Sequence, residues 1–246
     1  MSKFAVIVTA AGKSSRFKDQ HYKKPFAQLG GRAVWLHSAE KFLGRDDTKQ
    51  LILTIAAEDK DYFDMKFSAN AAILGIDVVL GGENRSDSIE NALARVKADV
   101  EFVAVHDAAR PCIANEWIDD VFAAAEKHGA AIPAVPLNGT IKRVGANRTI
   151  DETVSREGLW EAQTPQVFRR ELLLEAYAKR DGFNATDDAQ LVERIGHAVH
   201  IVTGSPINMK ITTRADLRLA EHAIKSLPKP KLGGIQHPFA NDDMWR

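Results

Sequence analysis

The stretch that most constrains this chain is Phe4 to Val8, an unbroken apolar run rich in Val and Ile that suits a strand buried on both faces. A strand of that kind needs helices on either side of its sheet, which argues for an α/β architecture. The run ends abruptly in Ala10-Ala11-Gly12-Lys13-Ser14-Ser15-Arg16. Small residues there let main-chain N–H groups come close to a ligand, and Lys13, Arg16 and Lys24 add positive charge. Strand, small-residue turn and basic segment together point to a phosphate-rich ligand at the carboxyl end of a sheet.

Two familiar phosphate motifs fail on this segment. A P-loop needs a glycine and four residues ahead of Gly-Lys-Ser/Thr, and Gly12-Lys13-Ser14 has no glycine at that spacing. The dinucleotide fingerprint Gly-x-Gly-x-x-Gly would need glycines where Ser14 and Phe17 stand. An ordinary strand-to-loop connection with solvated lysines remains open from this segment alone.

The rest of the chain alternates strands with helices. Helical spacing spans Ala33 to Phe42, a strand Leu51 to Ala56, and a polar helix about Asp59 to Ala69. A third strand, Asp77 to Leu80, runs into Gly81-Gly82 and a helix with Ile89, Ala92, Leu93 and Val96 on one face, for which Ser86, Asp87 or Ser88 is the expected cap. Gly82 and Ser88 are candidates to line a nucleobase pocket. Phe102 to Val105 is another buried strand, ending in His106-Asp107-Ala108-Ala109-Arg110-Pro111. Asp107, at the end of a parallel strand beside a phosphate loop, is either a divalent-cation ligand or a turn carboxylate paired with Arg110. His106 reads as a packed strand-end histidine, because no second histidine sits nearby at ligand spacing.

Asn115 to His128 is a helix stopped by Gly129, followed by a strand from Ala130 to Val135. Regularity then breaks. Pro136 to Gly158 is polar and β-prone, better suited to a protruding hairpin arm than to a core strand. Helices return at Arg170 to Ala178, after Ala185-Thr186-Asp187-Asp188, and from about Thr213 to Lys225, with a late strand from Ala198 to Val202. Lys210, before the last helix, is either a solvated loop lysine or a cation returned to the same sheet edge. Residues 1–226 read as one domain with its arm at about 137–158, and the Pro- and Gly-containing stretch 227–246 as a flexible tail.

Charge and cysteine content exclude some classes. Lys plus Arg number 33, as do Asp plus Glu, so no global field favours nucleic acid or a membrane surface. Cys112 is the one cysteine, which rules out an internal disulfide and fits a reducing cytosol. No apolar run approaches membrane-spanning length, so the expectation is a cytoplasmic protein.

In their order and spacing these segments resemble the 2-C-methyl-D-erythritol 4-phosphate cytidylyltransferases of non-mevalonate isoprenoid biosynthesis. The resemblance runs from Ala5 to about Ala223 and rests on Ala10-Ala11-Gly12 with Arg16, Lys24 before Pro25-Phe26, Gly81-Gly82, and His106 to Pro111. It continues in Thr140, Arg156 before Gly158-Leu159-Trp160, Thr164-Pro165-Gln166 and Asn208-Met209-Lys210. It implies a mostly parallel, Rossmann-like nucleotidyltransferase sheet with a β-arm exchanged in a homodimer. The implied reaction joins CTP to methylerythritol phosphate and releases pyrophosphate. Arg16 and Lys24 would then stabilise the transition state, Arg156 and Lys210 would position the acceptor phosphate, and Asp107 would hold Mg²⁺. Ala10, Gly82 and Ser88 would lie near cytosine, Gly12 and Ala108 near the ribose, and Thr140 near the acceptor phosphate. Thr140 and Arg156 would reach the site from the neighbouring subunit. Ala11, Arg110 and Thr164 complete the expected substrate-binding set. Ser14, Glu83 and Met209 depart from the residues more usual in the family, which are glycine, aspartate and isoleucine. The competing expectations are a ribitol 5-phosphate cytidylyltransferase and a nucleotide-binding regulator without catalytic power.

Overall fold

A computed structural model of the chain describes residues 2–12 and 23–228. In chain order its regular elements are β1 (Phe4–Thr9), β2 (Gln28–Leu29), β3 (Arg32–Ala33), α1 (Val34–Leu43), β4 (Thr48–Ile55), α2 (Lys60–Ile73), β5 (Asp77–Leu80) and α3 (Arg85–Leu93). Then come β6 (Phe102–Asp107), α4 (Asn115–His128), β7 (Ala130–Pro136), β8 (Ile141–Val144), β9 (Ile150–Val154), β10 (Trp160–Ala162) and β11 (Gln166–Arg169). The last are α5 (Arg170–Ala178), α6 (Asp188–Arg194), β12 (His200–Thr203) and α7 (Arg214–Ala223).

The main sheet is built on β1, which pairs in parallel with β4 on one side and β6 on the other; β5 extends it beyond β4. Beyond β6 the direction reverses for one strand. β11 runs antiparallel to both β6 and β7, while β10 pairs antiparallel with the far end of β7 and β12 covers the other edge of β7 in parallel. The expected mostly parallel sheet is therefore present, with β10 and β11 as short antiparallel insertions that the apolar pattern did not announce.

Period-two alternation in β1 explains how the sheet is covered. Phe4, Val6 and Val8 face a core with Trp35, Phe42, Phe63, Ile118 and Phe122, while Ala5 and Ile7 face one with Ile89, Leu173, Leu191 and Val192. Helices α1, α2 and α4 thus cover one face and α3, α5 and α6 the other, as strands buried on both sides require. A smaller cluster, including Leu29, Val34, Cys112, Ile211 and Ala220, seats α7.

Helix ends follow local chemistry, with one correction. α3 is capped by Asn84, not by Ser86 or Ser88; its side chain accepts from the Asp87 N–H while Asp87 bonds back to the Asn84 N–H. Asn84-x-x-Asp87 is a capping-box spacing, so the two serines fall inside the helix. α4 stops at Gly129, whose φ of 85° is the left-handed geometry glycine adopts freely. The arm is a separate two-stranded sheet of β8 and β9. Among the described residues no helix is long and apolar enough to cross a membrane.

Candidate active site

The strand order itself locates the site. From β1 the chain moves to β4 and β5 on one side, then crosses back to β6 on the other, so the connections leaving the carboxyl ends of β1 and β6 run in opposite directions. Open α/β sheets bind ligands in the crevice at such a switch point. Here Thr9 and Asp107 are register partners, as are Thr9 and Thr54, so Thr9 and Asp107 end neighbouring strands side by side, with Thr54 next to them one residue short of the end of β4.

A cavity of about 360 Å³ opens there, within the range of small-molecule sites. Its walls include Ala10, Ala11, Gly12, Lys24, Ser88, Asp107 and Lys210 from the expected set. Glu83, noted above for standing where the family more usually has aspartate, lines it too, as do Thr9, Pro25, Thr54, Asn84, Arg85 and Ala109, which were not among the expected site residues. Arg16 lies outside the described residues.

Lys24 is placed by its neighbours. It begins a short 3₁₀ turn, Lys24–Phe26, whose Pro25 and Phe26 are buried, and the Phe26 ring stacks on Phe67 at 5.7 Å. The anchor below explains why the Lys24 side chain can be aimed at the cavity. Gly81 and Gly82 are needed for close approach. A Cβ on Gly81 would fall 2.5 Å from Ala11 Cβ, and one on Gly82 would fall 2.4 Å from Asp87 Cβ. The Ser88 hydroxyl accepts from the Gly82 N–H at 3.1 Å and donates to the Asn84 carbonyl at 2.9 Å, cinching the turn that walls the cavity.

Asp107 is the electrostatic centre. Lys210 Nζ lies 2.8 Å from its Oδ2, Arg110 Nε lies 3.5 Å from the same oxygen, and Thr9 donates to Oδ1 at 3.3 Å. Burial alone would push the carboxyl up, but the charges of Lys210, Arg85 and Arg110 outweigh it and hold the group well below the usual carboxylate range. Arg110 is buried beneath the cavity and does not line it; its Nη1 donates to the Asn208 carbonyl at 2.7 Å. Asn208 in turn donates to the Thr164 carbonyl at 2.9 Å, and Ile211 N–H bonds the Ala109 carbonyl at 2.8 Å. These bonds bring Lys210, far away in sequence, to the end of β6.

Thr164 also sits below the cavity. Its hydroxyl accepts from the Asp107 N–H at 3.0 Å and meets His106 Nδ1 at 3.1 Å, while His106 Nε2 meets the Arg110 carbonyl at 3.1 Å. A carbonyl only accepts, so Nε2 carries the proton and Nδ1 accepts from Thr164, a tautomer assigned by its partners. Burial pushes the imidazole down to about 4, which keeps it neutral at physiological pH. His106 is therefore the packed strand-end histidine expected from sequence. Ala108 is fully buried, its N–H on the Thr9 carbonyl, leaving Ala109 to line the cavity.

Thr140 and Arg156 do not line this cavity. Both are exposed on the arm, where Arg156 Nη1 donates to the Asn138 carbonyl.

Could Asp107 hold a divalent cation? No group of three or more His, Cys, Asp or Glu suited to a metal exists among the described residues. Mg²⁺ needs less, since it keeps several waters and is commonly held by one or two carboxylates plus substrate phosphates. Oδ2 is occupied by Lys210, but among the described residues Oδ1 has only the long contact from Thr9, so one oxygen of this cavity-lining carboxylate fits such a role.

A mostly parallel sheet with a small-residue crevice, three lysine or arginine side chains and one buried carboxylate at its switch point defines a nucleotidyltransferase of the α/β class. A model of the 2-C-methyl-D-erythritol 4-phosphate cytidylyltransferase family matches residues 4–226, and the chain belongs to that family. A relative of that name from Rhodopirellula baltica is 42% identical over 228 residues, spanning 88% of this chain and 93% of its own. Another from Bacillus mycoides is 41% identical over 220 residues, spanning 89% and 96%. The crystal structure of 2-C-methyl-D-erythritol 4-phosphate cytidylyltransferase from Thermus thermophilus matches with a TM-score of 0.75 at 31% identity, covering 92% of this chain and all of that one.

Proposed function

We propose that the protein transfers the cytidylyl group of CTP to 2-C-methyl-D-erythritol 4-phosphate, releasing pyrophosphate. The observation that carries this reading is the family match over residues 4–226, joined to a cavity where Lys24, Arg85 and Lys210 converge around Asp107.

In this reaction an acceptor phosphate oxygen forms a bond to the α-phosphorus while the bond from that phosphorus to the bridging oxygen breaks, and pyrophosphate leaves with the electron pair. No covalent enzyme intermediate is needed, so the chain's task is to position two anions and offset their repulsion. At an effective dielectric of about 20, two unit charges roughly 4 Å apart interact by about 4 kcal/mol, which makes each well-placed cation substantial. Lys24 faces the triphosphate and, with Arg16, stabilises charge building on it. Lys210, held by Asp107, presents the acceptor phosphate. Asp107 Oδ1 would hold Mg²⁺ together with phosphate oxygens, the ion supplying further neutralisation of the triphosphate. The small residues Ala10, Ala11 and Gly12 let the nucleotide lie against the main chain, with Gly82 and Ser88 facing the base and Ala108 behind the ribose. Arg110 and Thr164 keep Asp107 oriented from below.

The same reading makes the protein a cytoplasmic homodimer joined through its arm. Two isolated strands are marginal in water, yet among the described residues β8 and β9 pair only with each other, and Val144, Ile150, Leu159 and Trp160 on or beside the arm are exposed. An isologous dimer would cover them and bring Thr140 and Arg156 to the partner's acceptor phosphate.

Pyrophosphate release from CTP and Mg²⁺, with methylerythritol phosphate and ribitol 5-phosphate in parallel and products identified by mass, tests the proposal. Turnover with the first acceptor is expected. Preference for ribitol 5-phosphate would change the acceptor assignment, and CTP binding without release under either condition would indicate a regulator.

A further inference from the structure

One wall of the cavity carries a charge whose partner is entirely out of water. Asp188, at the start of α6, is fully buried and receives Arg85 Nη2 on Oδ2 at 2.7 Å and the Tyr177 hydroxyl on Oδ1 at 2.6 Å. The N–H groups of Asp188 and Ala189 both donate to Gln166 Oε1 at 3.0 Å, which fixes the first turn of α6 against β11. Each carboxylate oxygen thus has a partner, and the carboxylate cannot turn without breaking one of them.

A buried ion pair is a poor fastening for its own sake, because apolar side chains of similar volume often hold two helices as well. The other end of the pair suggests what it is for. Arg85 lines the cavity with a quarter of its side-chain surface exposed, and Asp188 is the hydrogen-bond partner of its guanidinium among the described residues. A guanidinium has five N–H donors and no acceptor. Anchored through Nη2, Arg85 keeps its remaining donors for whatever fills the cavity.

We propose that Arg85 is a further nucleotide-binding residue, donating to acceptor atoms of the cytosine–ribose half of the bound CTP, and that Asp188 and Tyr177 are positioning residues that hold its guanidinium toward the cavity. The inference rests on the cytidylyltransferase reading above. Its place in the chain selects the half of the nucleotide, since Arg85 stands between Gly82 and Ser88 on the wall assigned to the base. Cytosine offers N3 and O2, and the ribose its hydroxyl oxygens, as acceptors suited to a donor-only group.

The test uses R85M, the double variant R85M/D188L and Y177F in the full-length protein. R85M alone strands a buried carboxylate, whereas the double variant removes both charges together and is the one expected to stay folded. Measured on each are the rise in Tm on adding CTP, the KM for CTP, the KM for methylerythritol phosphate, and kcat. The double variant should lose most of the CTP-dependent rise and show a KM for CTP raised by about tenfold, the effect of losing a charged hydrogen bond. Its KM for the acceptor and its kcat should change far less. Y177F should raise the KM for CTP by a smaller factor. A double variant with wild-type KM for CTP and a wild-type CTP-dependent rise, whatever its Tm without ligand, would overturn the proposal, as would a change confined to the acceptor. If the double variant does not fold, an unchanged KM for CTP in Y177F overturns it. A wild-type protein that neither responds to CTP nor releases pyrophosphate would sink the cytidylyltransferase reading itself, and this inference with it.

Discussion

Lys210 Nζ stands 2.8 Å from Asp107 Oδ2, joining the loop after β12 to the end of β6, two segments far apart in sequence. The pair does two things. It neutralises the carboxylate on one oxygen and leaves the lysine stem directed along the cavity wall.

Replacing Lys210 with Ala should therefore reduce turnover by on the order of a hundredfold, the usual cost of deleting a charged group that positions a phosphate. Arg110 still neutralises Asp107 from below, so the Tm should hardly move. Steady-state pyrophosphate release and thermal unfolding on one preparation check both halves. Near-normal turnover would count against the acceptor-phosphate role.

Lys24→Ala should lower kcat more than it weakens CTP binding, because an interaction gained in the transition state affects the chemical step. Isothermal titration of CTP beside kcat separates the two. Equal losses would reassign Lys24 to ground-state binding.

Arm exchange can be tested by mixing. Arg156→Ala and Lys24→Ala protomers are each expected to be nearly inactive alone. A mixed dimer would contain one site with both side chains intact, so mixing after demonstrated subunit exchange should restore activity toward about a quarter of wild type, given random pairing in an isologous dimer. No recovery would place Arg156 in its own subunit's site.

His106 makes a pH-dependent contribution whose sign follows from its burial. Its folded value of about 4 lies below the ordinary 6.5, so on acidification the unfolded chain takes up the proton first. Stability should be fully present above about 6.5 and fall as pH drops toward 4, by about 3 kcal/mol if the shift is complete. His106→Gln should flatten that part of a plot of unfolding free energy against pH. A variant as steep as wild type between these values would show that other groups dominate.

The parallel half of the fold was legible because β1, β4 and β6 are buried on both faces, which writes them as continuous apolar runs. The insertions β10 and β11 were not. Trp160–Ala162 and Gln166–Arg169 are three and four residues long, separated by Gln163-Thr164-Pro165, and owe their extended form to pairing with β6 and β7 rather than to their own pattern. For the site, single charged residues could be read, Asp107 at a strand end and Lys24 and Lys210 in the connections, and all three reach the cavity. Arg85 could not, because what distinguishes it is a bond to Asp188, a residue 103 positions away. The Asn84 cap was legible in principle, since its partner Asp87 stands at the expected spacing. Arg110 and Thr164 carry the same lesson in reverse. Their motifs point to the site, but only packing reveals that they support it from beneath.

The two ends of the arm leave the sheet side by side. Pro136 and Trp160 are register partners, and the Leu137 N–H bonds the Leu159 carbonyl at 3.1 Å just beyond them. Everything between is a detour whose endpoints already touch, so its length and composition are free to vary without changing a single pairing in the main sheet. A lineage could lengthen, shorten or rewrite this excursion while inheriting the crevice at the switch point unchanged. In the laboratory the same geometry makes the arm a replaceable cassette, to be traded between relatives as one would change the bit on a fixed handle.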